Sequence, residues 1–235
     1  MGRMRITPIK TRTFVEGEDL SAFICEHIPR LKDGSIVVVA SKIVALAEGR
    51  VIELDSDEGK EPLIRRESTW MRHVFGPWWL TVRDGTVVVN AGIDESNAEG
   101  KLILLPEDSF ESAQMLYTSL LQNTSIRNFG IIITDSRIMP LRAGAVGLAL
   151  GYTGFKGIRD YRGTPDLFGR PMEVTQTDVA DSLATAATLV MGEGAESQPL
   201  AIIEDAPVEW TQETNRTELK IPREQDMFKH LFEYL

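Results

Sequence analysis

The sequence contains a single cysteine, Cys25, so no disulfide can form within one chain. Cys25 lies in an apolar stretch at residues 23–28, where a buried structural thiol and a nucleophile are both open interpretations. Free cysteine is among the residue types that are most often buried, and this favours the structural thiol.

Long apolar runs and an excess of positive charge are also missing. No run of about 18 apolar residues occurs, and the start MGRMRITPIK has no apolar core of signal-peptide length. The formal net charge of -10 argues against general binding to nucleic acids or anionic membranes, because both need clustered Lys and Arg. We expect a cytoplasmic, soluble protein whose partners are small molecules.

Common motifs of nucleotide-binding and hydrolytic sites are absent as well. The sequence has no GxxxxGK[ST] loop, no GxGxxG between a strand and a helix, and no GxSxG turn. The three histidines, His27, His73 and His230, are far apart and show no zinc-binding spacing. A site built from carboxylate and hydroxyl oxygens therefore remains as the candidate.

Acidic residues follow apolar patterns at three places in the chain. Asp94 ends NAGID, Asp135 and Ser136 follow IIIT, and Glu193 lies in MGEG. Each acid alone is more often a turn former or a helix cap. Carboxylates that converge at strand ends and tight turns would suit Mg²⁺ or Mn²⁺, which commonly accompany phosphates. The residues therefore indicate a candidate metal and phosphate site, although spacing alone does not show that the acids converge.

Short β-branched runs and helical patterns follow one another along the chain, which predicts sheets with flanking helices. Strands are predicted at 35–40, 86–90, 130–134 and 200–203. Helices are predicted at 18–28, at 108–122 with a capping box of Asp108 and Glu111, and at 177–191 with Thr177 as N-cap and Gly192 as the stop. No repeat or linker divides the chain, so residues 1–235 are predicted to form a single domain.

Three further segments carry specific predictions. Residues 55–67 are the most polar and are predicted to form a loop. In GAVGLALGYTGFKG, close backbone packing is favoured over ligand contact, because the apolar residues alternate as in a strand. A C-terminal helix is predicted to start at Pro222 and to pack on the body or on a partner subunit through one apolar face: Met227, Phe228, Leu231 and Leu235.

Several segments spread over nearly the whole chain occur in the order found in one enzyme family: SKIVALAEGRV, VNAGIDESN, LLPEDSFESA, ITDSRIMPLRAGAVGLALG, DYRGTPDLFGRPMEVT and DVADSLATAATLVMGEG. A single motif such as NAGID is short, but the ordered set does not arise by chance. On these segments the sequence resembles the coenzyme F420-0:L-glutamate ligase family.

The resemblance implies an α+β fold specific to that family, with mixed sheets, flanking helices and two interlocked subdomains. It also implies a homodimer with GTP and divalent cations, Mg²⁺ or Mn²⁺, in a groove; ATP is the alternative nucleotide and K⁺ a further candidate ion. The family reaction joins the amino group of L-glutamate to a carboxylate of the F420 precursor while GTP becomes GDP and phosphate. An acyl phosphate fits this chemistry, because phosphorylation turns a carboxylate oxygen into a leaving group.

Site residues also follow from the resemblance. Asp94, Asp135 and Glu193 would be the catalytic acids; Asp94 with Asp135 would hold one cation, and Ser136 with Glu193 a second. Glycines in the segment around Glu193 would let backbone N–H groups approach phosphate. For Lys42, a solvated surface lysine is an equally good interpretation without the family. The nucleotide contacts implied are Thr11, Arg12, Thr13, Phe14, Ser41, Lys42, Asn97, Met191, Gly192 and Gly194.

Two of the departures of the chain from the family pattern concern expected ligand contacts. Leu46 stands where a nucleotide-contacting lysine is expected, and Ile138, Met139 and Leu141 stand where a Gly-Arg pair and an aromatic residue are expected before Arg142. Loss of a guanidinium removes a bidentate anion contact, so the acceptor is either the F420 precursor or another carboxylate. The alternative function is a catalytically silent nucleotide-binding relative with a regulatory role.

Overall fold

Helices and strands are mixed along the chain in a computed structural model that describes residues 3–53, 59–122 and 126–232. The predicted α+β class is confirmed. The helices are α1 (Leu20–His27), α2 (Ser41–Ala47), α3 (Glu61–Arg66), α4 (Ser109–Gln122) and α5 (Val179–Met191). The strands are β1 (Arg5–Ile9), β2 (Ser35–Ala40), β3 (Val51–Glu53), β4 (Trp70–Phe75), β5 (Trp78–Arg83), β6 (Thr86–Val89), β7 (Lys101–Ile103), β8 (Phe129–Ile138), β9 (Ala145–Thr153), β10 (Ile158–Asp160), β11 (Gln176–Asp178) and β12 (Leu200–Glu204).

The largest sheet has five strands in the order β1-β12-β2-β8-β9, and only β2 and β8 are parallel among its neighbouring pairs. Side chains of β2 alternate between two apolar layers because successive residues of a strand point to opposite faces. Val37 and Val39 pack with α1, α2 and α4, whereas Ile36 and Val38 pack with α5. Cover on both faces explains why the segment at 35–40 is continuously apolar.

Smaller sheets pair β3 with β7, β10 with β11, and β4 with β5 and β6. The predicted strand at 35–40 is confirmed to the residue, and the strand at 200–203 is extended to Glu204. Asn90 opens a 3-10 turn instead of ending β6. β8 runs past the predicted end at 134, because β9 continues to pair with it as far as Ile138 after β2 has ended.

Polar caps define the ends of the helices. Asp108 Oδ1 accepts hydrogen bonds from the Phe110 and Glu111 amides at 3.0 Å each, so the predicted cap of α4 is confirmed. The N-cap of α5 is Asp178 and not Thr177, which instead pairs with β10. Gly192 ends α5 with a φ of 84°, as predicted. No helix within the described ranges is long and apolar enough to cross a membrane.

The predicted C-terminal helix is wrong. Two separate 3-10 turns, at Arg223–Gln225 and Lys229–Phe232, take its place. Between them, Asp226 Oδ1 accepts a hydrogen bond from the Phe228 amide at 2.8 Å, a local turn that competes with helical bonding. Met227 is 89% and Phe228 61% exposed, so neither packs on the body. Leu235 lies outside the described residues.

Cys25 is exposed, which contradicts the predicted buried thiol. α1 is amphipathic, with Leu20, Phe23 and Ile24 buried at helical spacing. Cys25 follows them on the outer face, because the next inward position is one turn further along. The apolar residues next to Cys25 in sequence therefore point into the core, whereas the Cys25 side chain points away from it.

The predicted polar loop at 55–67 contains α3. Pro62 lies in the first turn of this helix, where its missing N–H costs nothing, and Glu61 pairs with Arg65 at 2.9 Å. These local features outweigh the high polarity that favoured a loop. Residues 55–58 lie outside the described residues.

Glycines let β9 approach a helix on each side of the main sheet. A Cβ atom at Gly151 would lie 2.3 Å from the Ser109 carbonyl oxygen, and one at Gly147 would lie 2.1 Å from Thr188 Oγ1. Neither glycine lines the large cleft described below. Close backbone packing of this segment is thus confirmed.

Gly151→Ala is expected to lower the free energy of unfolding by about 2–3 kcal/mol, since the added methyl group forces apart β9 and the first turn of α4. Urea unfolding monitored by circular dichroism would measure the loss. Ala145→Val, at the exposed start of the same strand, adds volume without this collision and serves as the control. Equal midpoints for the two variants would contradict this account of the packing.

Candidate active site

A cleft of about 510 Å³ opens at the carboxyl end of β2, where the parallel pairing of β2 with β8 stops. Ala40 and Thr134 are register partners in this parallel pair, so the next residues, Ser41 and Asp135, emerge side by side. Ser41 Oγ donates a hydrogen bond to Asp135 Oδ1 at 2.9 Å. The position follows the general tendency of ligands to bind beyond the carboxyl ends of parallel strands.

The cleft brings together all of the residues that the sequence predicted for the site, although they come from distant parts of the chain. Their roles in catalysis and binding stay predictions. The residues that line the cleft include Thr11, Arg12, Thr13, Phe14, Ser41, Lys42, Asp94, Asn97, Asp135, Ser136, Met191, Gly192, Glu193 and Gly194.

Asp94 is held in place by the tight turn that precedes it. Its backbone N–H and C=O both bond to Ile103 at 2.9 Å. Gly92 has a φ of 73°, and a Cβ atom there would lie 2.6 Å from the Leu105 side chain. The NAGID segment thus requires glycine for both conformation and space.

An ion pair links Asp94 to Lys42 across the cleft. Lys42 Nζ lies 2.8 Å from Asp94 Oδ2 and 2.6 Å from the Ser96 carbonyl oxygen. Burial opposes ionisation of Asp94, but Lys42 and Ser96 outweigh it and hold the pKa of Asp94 below its usual value. Lys42 is therefore fixed against the acid, and the interpretation as a solvated surface lysine is wrong.

Asp135 is bound on both carboxylate oxygens. Oδ1 accepts from Ser41, and Oδ2 accepts from Arg137 Nη1. The Arg137 side chain is 5% exposed, so its charge is desolvated and depends on this partner. Arg137 is not among the residues predicted from the sequence, although its position two residues after Asp135 on one strand places both side chains on the same face.

Glu193 is crowded by other acids. Partial burial of its carboxyl group raises the pKa of Glu193, and the Asp135 and Asp94 carboxylates add to the effect, while a hydrogen bond with Ser136 and the charge of Lys42 oppose it. Burial and the two neighbouring acids thus disfavour the charge of Glu193 despite the nearby lysine. A bound cation would relieve the repulsion between the acids.

The glycine turn after α5 already holds an anion from the chain itself. Gly194 N–H donates to Glu196 Oε2 at 2.8 Å, and a Cβ atom at Gly192 would lie 2.5 Å from Glu196 Cδ. Gly192 N–H caps α5 by donating to the Thr188 carbonyl oxygen at 3.0 Å. The turn suits an anion, but the predicted approach of the Gly192 N–H to phosphate is not open in this arrangement.

Part of the predicted nucleotide stretch at 11–14 has structural partners. Phe14 is 5% exposed and packs edge-on against Phe23 at 5.0 Å. Arg12 makes ion pairs with Glu18 and Glu26, the latter at 3.0 Å. Backbone groups of this stretch and the Thr13 side chain are what it offers to a ligand. Asn97 Nδ2 donates to the Gly194 carbonyl oxygen at 3.3 Å and so ties its loop to the glycine turn.

The donor set fits hard divalent cations by its chemistry, since it consists of carboxylate and hydroxyl oxygens. Within the described residues, no group of three or more His, Cys, Asp or Glu side chains is close enough to hold an ion by itself. Mg²⁺ is commonly held by one or two carboxylates together with substrate phosphates. The arrangement therefore suits the predicted pairs, Asp94 with Asp135 and Ser136 with Glu193, completed by a nucleotide.

The two departures from the family pattern lie in different surroundings. Leu46 lines the cleft and packs against the apolar layer beneath it. Ile138, Met139 and Leu141 are 63%, 47% and 104% exposed and do not line the cleft. Only Leu46 therefore changes the cleft wall directly.

Comparison with known proteins decides the family. The model of the F420-0:Gamma-glutamyl ligase family matches residues 8–205, a range that contains every predicted site residue. The chain belongs to this family. Its enzyme class, a ligase, and the resemblance seen in the sequence are thereby confirmed.

Relatives within the F420-0:gamma-glutamyl ligase family match most of the chain. The Coenzyme F420:L-glutamate ligase of Methanopyrus kandleri is 38% identical over 218 residues, which cover 85% of this chain and 86% of the relative. The protein of that name from Archaeoglobus fulgidus is 36% identical over 86% of this chain and 87% of its own. The one from Methanocaldococcus jannaschii is 33% identical over 97% and 98%.

Proposed function

We propose that the protein is a nucleotide-dependent and divalent-cation-dependent ligase that joins L-glutamate to a carboxylate acceptor through an acyl phosphate. The observation that carries the proposal is the convergence of Asp94, Asp135 and Glu193 on one cleft with Lys42. The relatives, which are named as coenzyme F420:L-glutamate ligases, support L-glutamate as the amino acid and a coenzyme F420 precursor as the first acceptor to test.

Each side chain of the cleft has a defined task in this proposal. Asp94, kept ionised by Lys42 and Ser96, and Asp135, oriented by Ser41, present oxygens on one wall of the cleft. Ser136 and Glu193 present a second pair. Mg²⁺ or Mn²⁺ held by these side chains would neutralise charge that builds up during phosphoryl transfer.

The phosphate end of the nucleotide is proposed to lie between Lys42 and the glycine turn. Lys42 contributes a compact positive charge, and the Gly194 N–H becomes available once Glu196 moves away. GTP is the proposed nucleotide, with ATP as the alternative and K⁺ as a further ion. A homodimer is proposed as the assembly, on the resemblance alone.

Incubation of the purified protein with GTP, Mn²⁺, L-glutamate and the F420 precursor is expected to release one phosphate per amide formed. Phosphate release and product mass would be measured together, with ATP and other carboxylates as parallel tests. EDTA is expected to stop turnover, and Mn²⁺ in excess to restore it. Phosphate release that does not depend on the acceptor, or turnover that persists in EDTA, would contradict the proposal.

A catalytically silent nucleotide-binding protein is the second candidate, favoured by Leu46 in the cleft wall and by Glu196 in the glycine turn. Calorimetry separates the two functions. The silent relative predicts nucleotide affinity that survives Asp135→Asn and no turnover in either protein. The ligase predicts turnover in the unsubstituted protein that Asp135→Asn removes.

A further inference from the structure

A second cavity, of about 300 Å³, lies between β9, the turn from β5 to β6, and the segment at 216–226. We call it the basic cavity, because four cationic side chains line it: Arg83, Arg137, Arg216 and Lys220. Its volume is at the lower end of the range of about 300–1,000 Å³ that is usual for small-molecule sites. It does not share its walls with the cleft described above, but it is joined to that cleft through one side chain.

Arg137 is the side chain that joins the two. It lines the basic cavity, and its Nη1 binds the Asp135 carboxylate, which lines the cleft. Asp135 and Arg137 are two positions apart on β8, a spacing of about 6–7 Å along a strand. A ligand in the basic cavity that contacts Arg137 is therefore connected to the candidate active site through this one side chain.

Two of the four cations build the cavity walls through ion pairs, and a third, Arg137, is paired with Asp135 through its Nη1. Arg83 is paired with Glu67, and Arg216 is paired with Asp108 at the start of α4. These pairs hold the cavity walls together, since Arg83 Nη2 also donates to the Pro106 carbonyl oxygen at 3.0 Å. Arg83 and Arg216 therefore build the cavity and contribute little free charge to it.

The other two cations have unused capacity. Arg137 Nε is buried without a hydrogen-bond partner, and no described residue accepts a bond from its Nη2. Nε and Nη2 form one edge of the guanidinium, the fork that binds a carboxylate through two parallel bonds. The Lys220 ammonium makes no ion pair with any described residue and lies beside Gly85.

Acidic and apolar side chains in the same walls narrow the choice of ligand. Asp84, Asp181 and Asp226 also line the cavity, and they would repel a polyphosphate while tolerating a ligand that carries an ammonium group. Phe110 and Leu148 offer apolar contact to a short aliphatic chain. The unused edge of Arg137, the Lys220 ammonium that is unpaired among the described residues, the acids and the apolar wall together match a zwitterion with two carboxylates.

We propose that the basic cavity binds the amino-acid substrate, an α-amino dicarboxylate of the size of L-glutamate. The free edge of Arg137 takes the α-carboxylate, and Lys220 takes the side-chain carboxylate. The α-amino group then lies on the side of Asp135, facing the cleft in which the acceptor is activated. This inference rests on the proposed ligase function and adds the place at which the amine is held.

The KM for L-glutamate tests the assignment in steady-state assays. Lys220→Met is expected to raise it about 10-fold, and Lys220→Glu further, while the KM for the nucleotide stays within twofold. Lys156→Met is the matched control, because Lys156 pairs with Glu209 at 2.5 Å on the exposed surface and does not line the cavity. A KM for L-glutamate that stays within twofold in folded Lys220→Glu would overturn the proposal.

Direct binding separates the failure of this inference from failure of the ligase function. Calorimetry without nucleotide is expected to show that L-glutamate binds the unsubstituted protein and Lys156→Met, but not Lys220→Glu. L-glutamine and glutarate, which each lack one of the groups, are expected to bind more weakly. This pattern would support the cavity even if turnover is absent, whereas equal binding of L-glutamate by all variants would reject it.

Discussion

Replacing Glu193 by glutamine is expected to lower turnover about 100-fold to 1,000-fold, the range for loss of one group that stabilises transition-state charge. The same substitution is expected to raise the melting temperature of the metal-free protein. The two effects have one origin, because burial, together with the Asp135 and Asp94 carboxylates, disfavours the charge of Glu193 until a cation is present. Glutamine keeps the shape and the hydrogen bond with Ser136 but carries no charge.

The sign of the pH dependence follows from the raised pKa of Glu193. A carboxyl group whose pKa is higher in the folded state stabilises the protein most at pH values below its unfolded pKa. That contribution is lost as the pH rises through the folded pKa. The stability gain from Glu193→Gln should therefore be larger at pH 7.5 than at about pH 4.5, roughly the unfolded pKa of glutamate.

Thermal unfolding in EDTA and in Mn²⁺ would measure these differences. Mn²⁺ should raise the melting temperature of the unsubstituted protein more than that of Glu193→Gln, since a ligand that binds the folded state more tightly stabilises it more at the same concentration. Glu209→Gln is the control, because it removes an exposed carboxylate that pairs with Lys156. A lower melting temperature for metal-free Glu193→Gln would contradict the proposed repulsion.

Glu67→Gln is expected to have the largest effect on stability, a loss of about 3–5 kcal/mol in the free energy of unfolding. The Glu67 side chain is 7% exposed and lies between Arg50 and Arg83, which both donate to its Oε2. Removing its charge leaves two guanidinium groups near one another in a desolvated place. Chemical denaturation at neutral pH would measure the loss.

Lowering the pH should reduce the difference in the free energy of unfolding between the unsubstituted protein and Glu67→Gln. Burial raises the pKa of Glu67, but Arg83 and Arg50 outweigh it and keep the pKa below its usual value. The stability that this carboxylate contributes is therefore present above the unfolded pKa and is lost as the pH falls through the folded pKa. Glu61→Gln breaks the exposed pair with Arg65 and should cost less than about 1 kcal/mol. Equal losses for the two variants would contradict this account.

Periodicity and end signals predicted the central part of the fold well. The strand at 35–40 is an unbroken apolar run because both faces are covered, and Asp108 caps its helix as its position before an apolar pattern indicated. The predicted bounds of an element were wrong where a distant strand or a local hydrogen bond determines where the element ends. β8 is longer than its apolar run because β9 pairs with it, and the Asp226 turn interrupts a C-terminal pattern that otherwise has helical spacing.

The candidate site was found mainly through the family resemblance, since residue types alone did not show that Asp94, Asp135 and Glu193 converge. The hydrogen-bond partners of these acids did not follow from the family resemblance. Arg137 reaches Asp135 because alternate residues of a strand share a face, a signal present in the sequence once the strand is extended. Lys220 comes to the basic cavity from a segment without regular structure, and no periodic pattern marks it.

Glu196 in the glycine turn makes phosphate binding an exchange of one anion for another. The Gly194 N–H is satisfied before any ligand arrives, so a phosphate gains this contact only by releasing the chain's own carboxylate. A lone inorganic anion would gain little from that exchange, whereas the proposed nucleotide would add contacts elsewhere in the cleft. If the proposed function holds, the turn would discriminate against abundant small anions and leave the site available to the larger substrate.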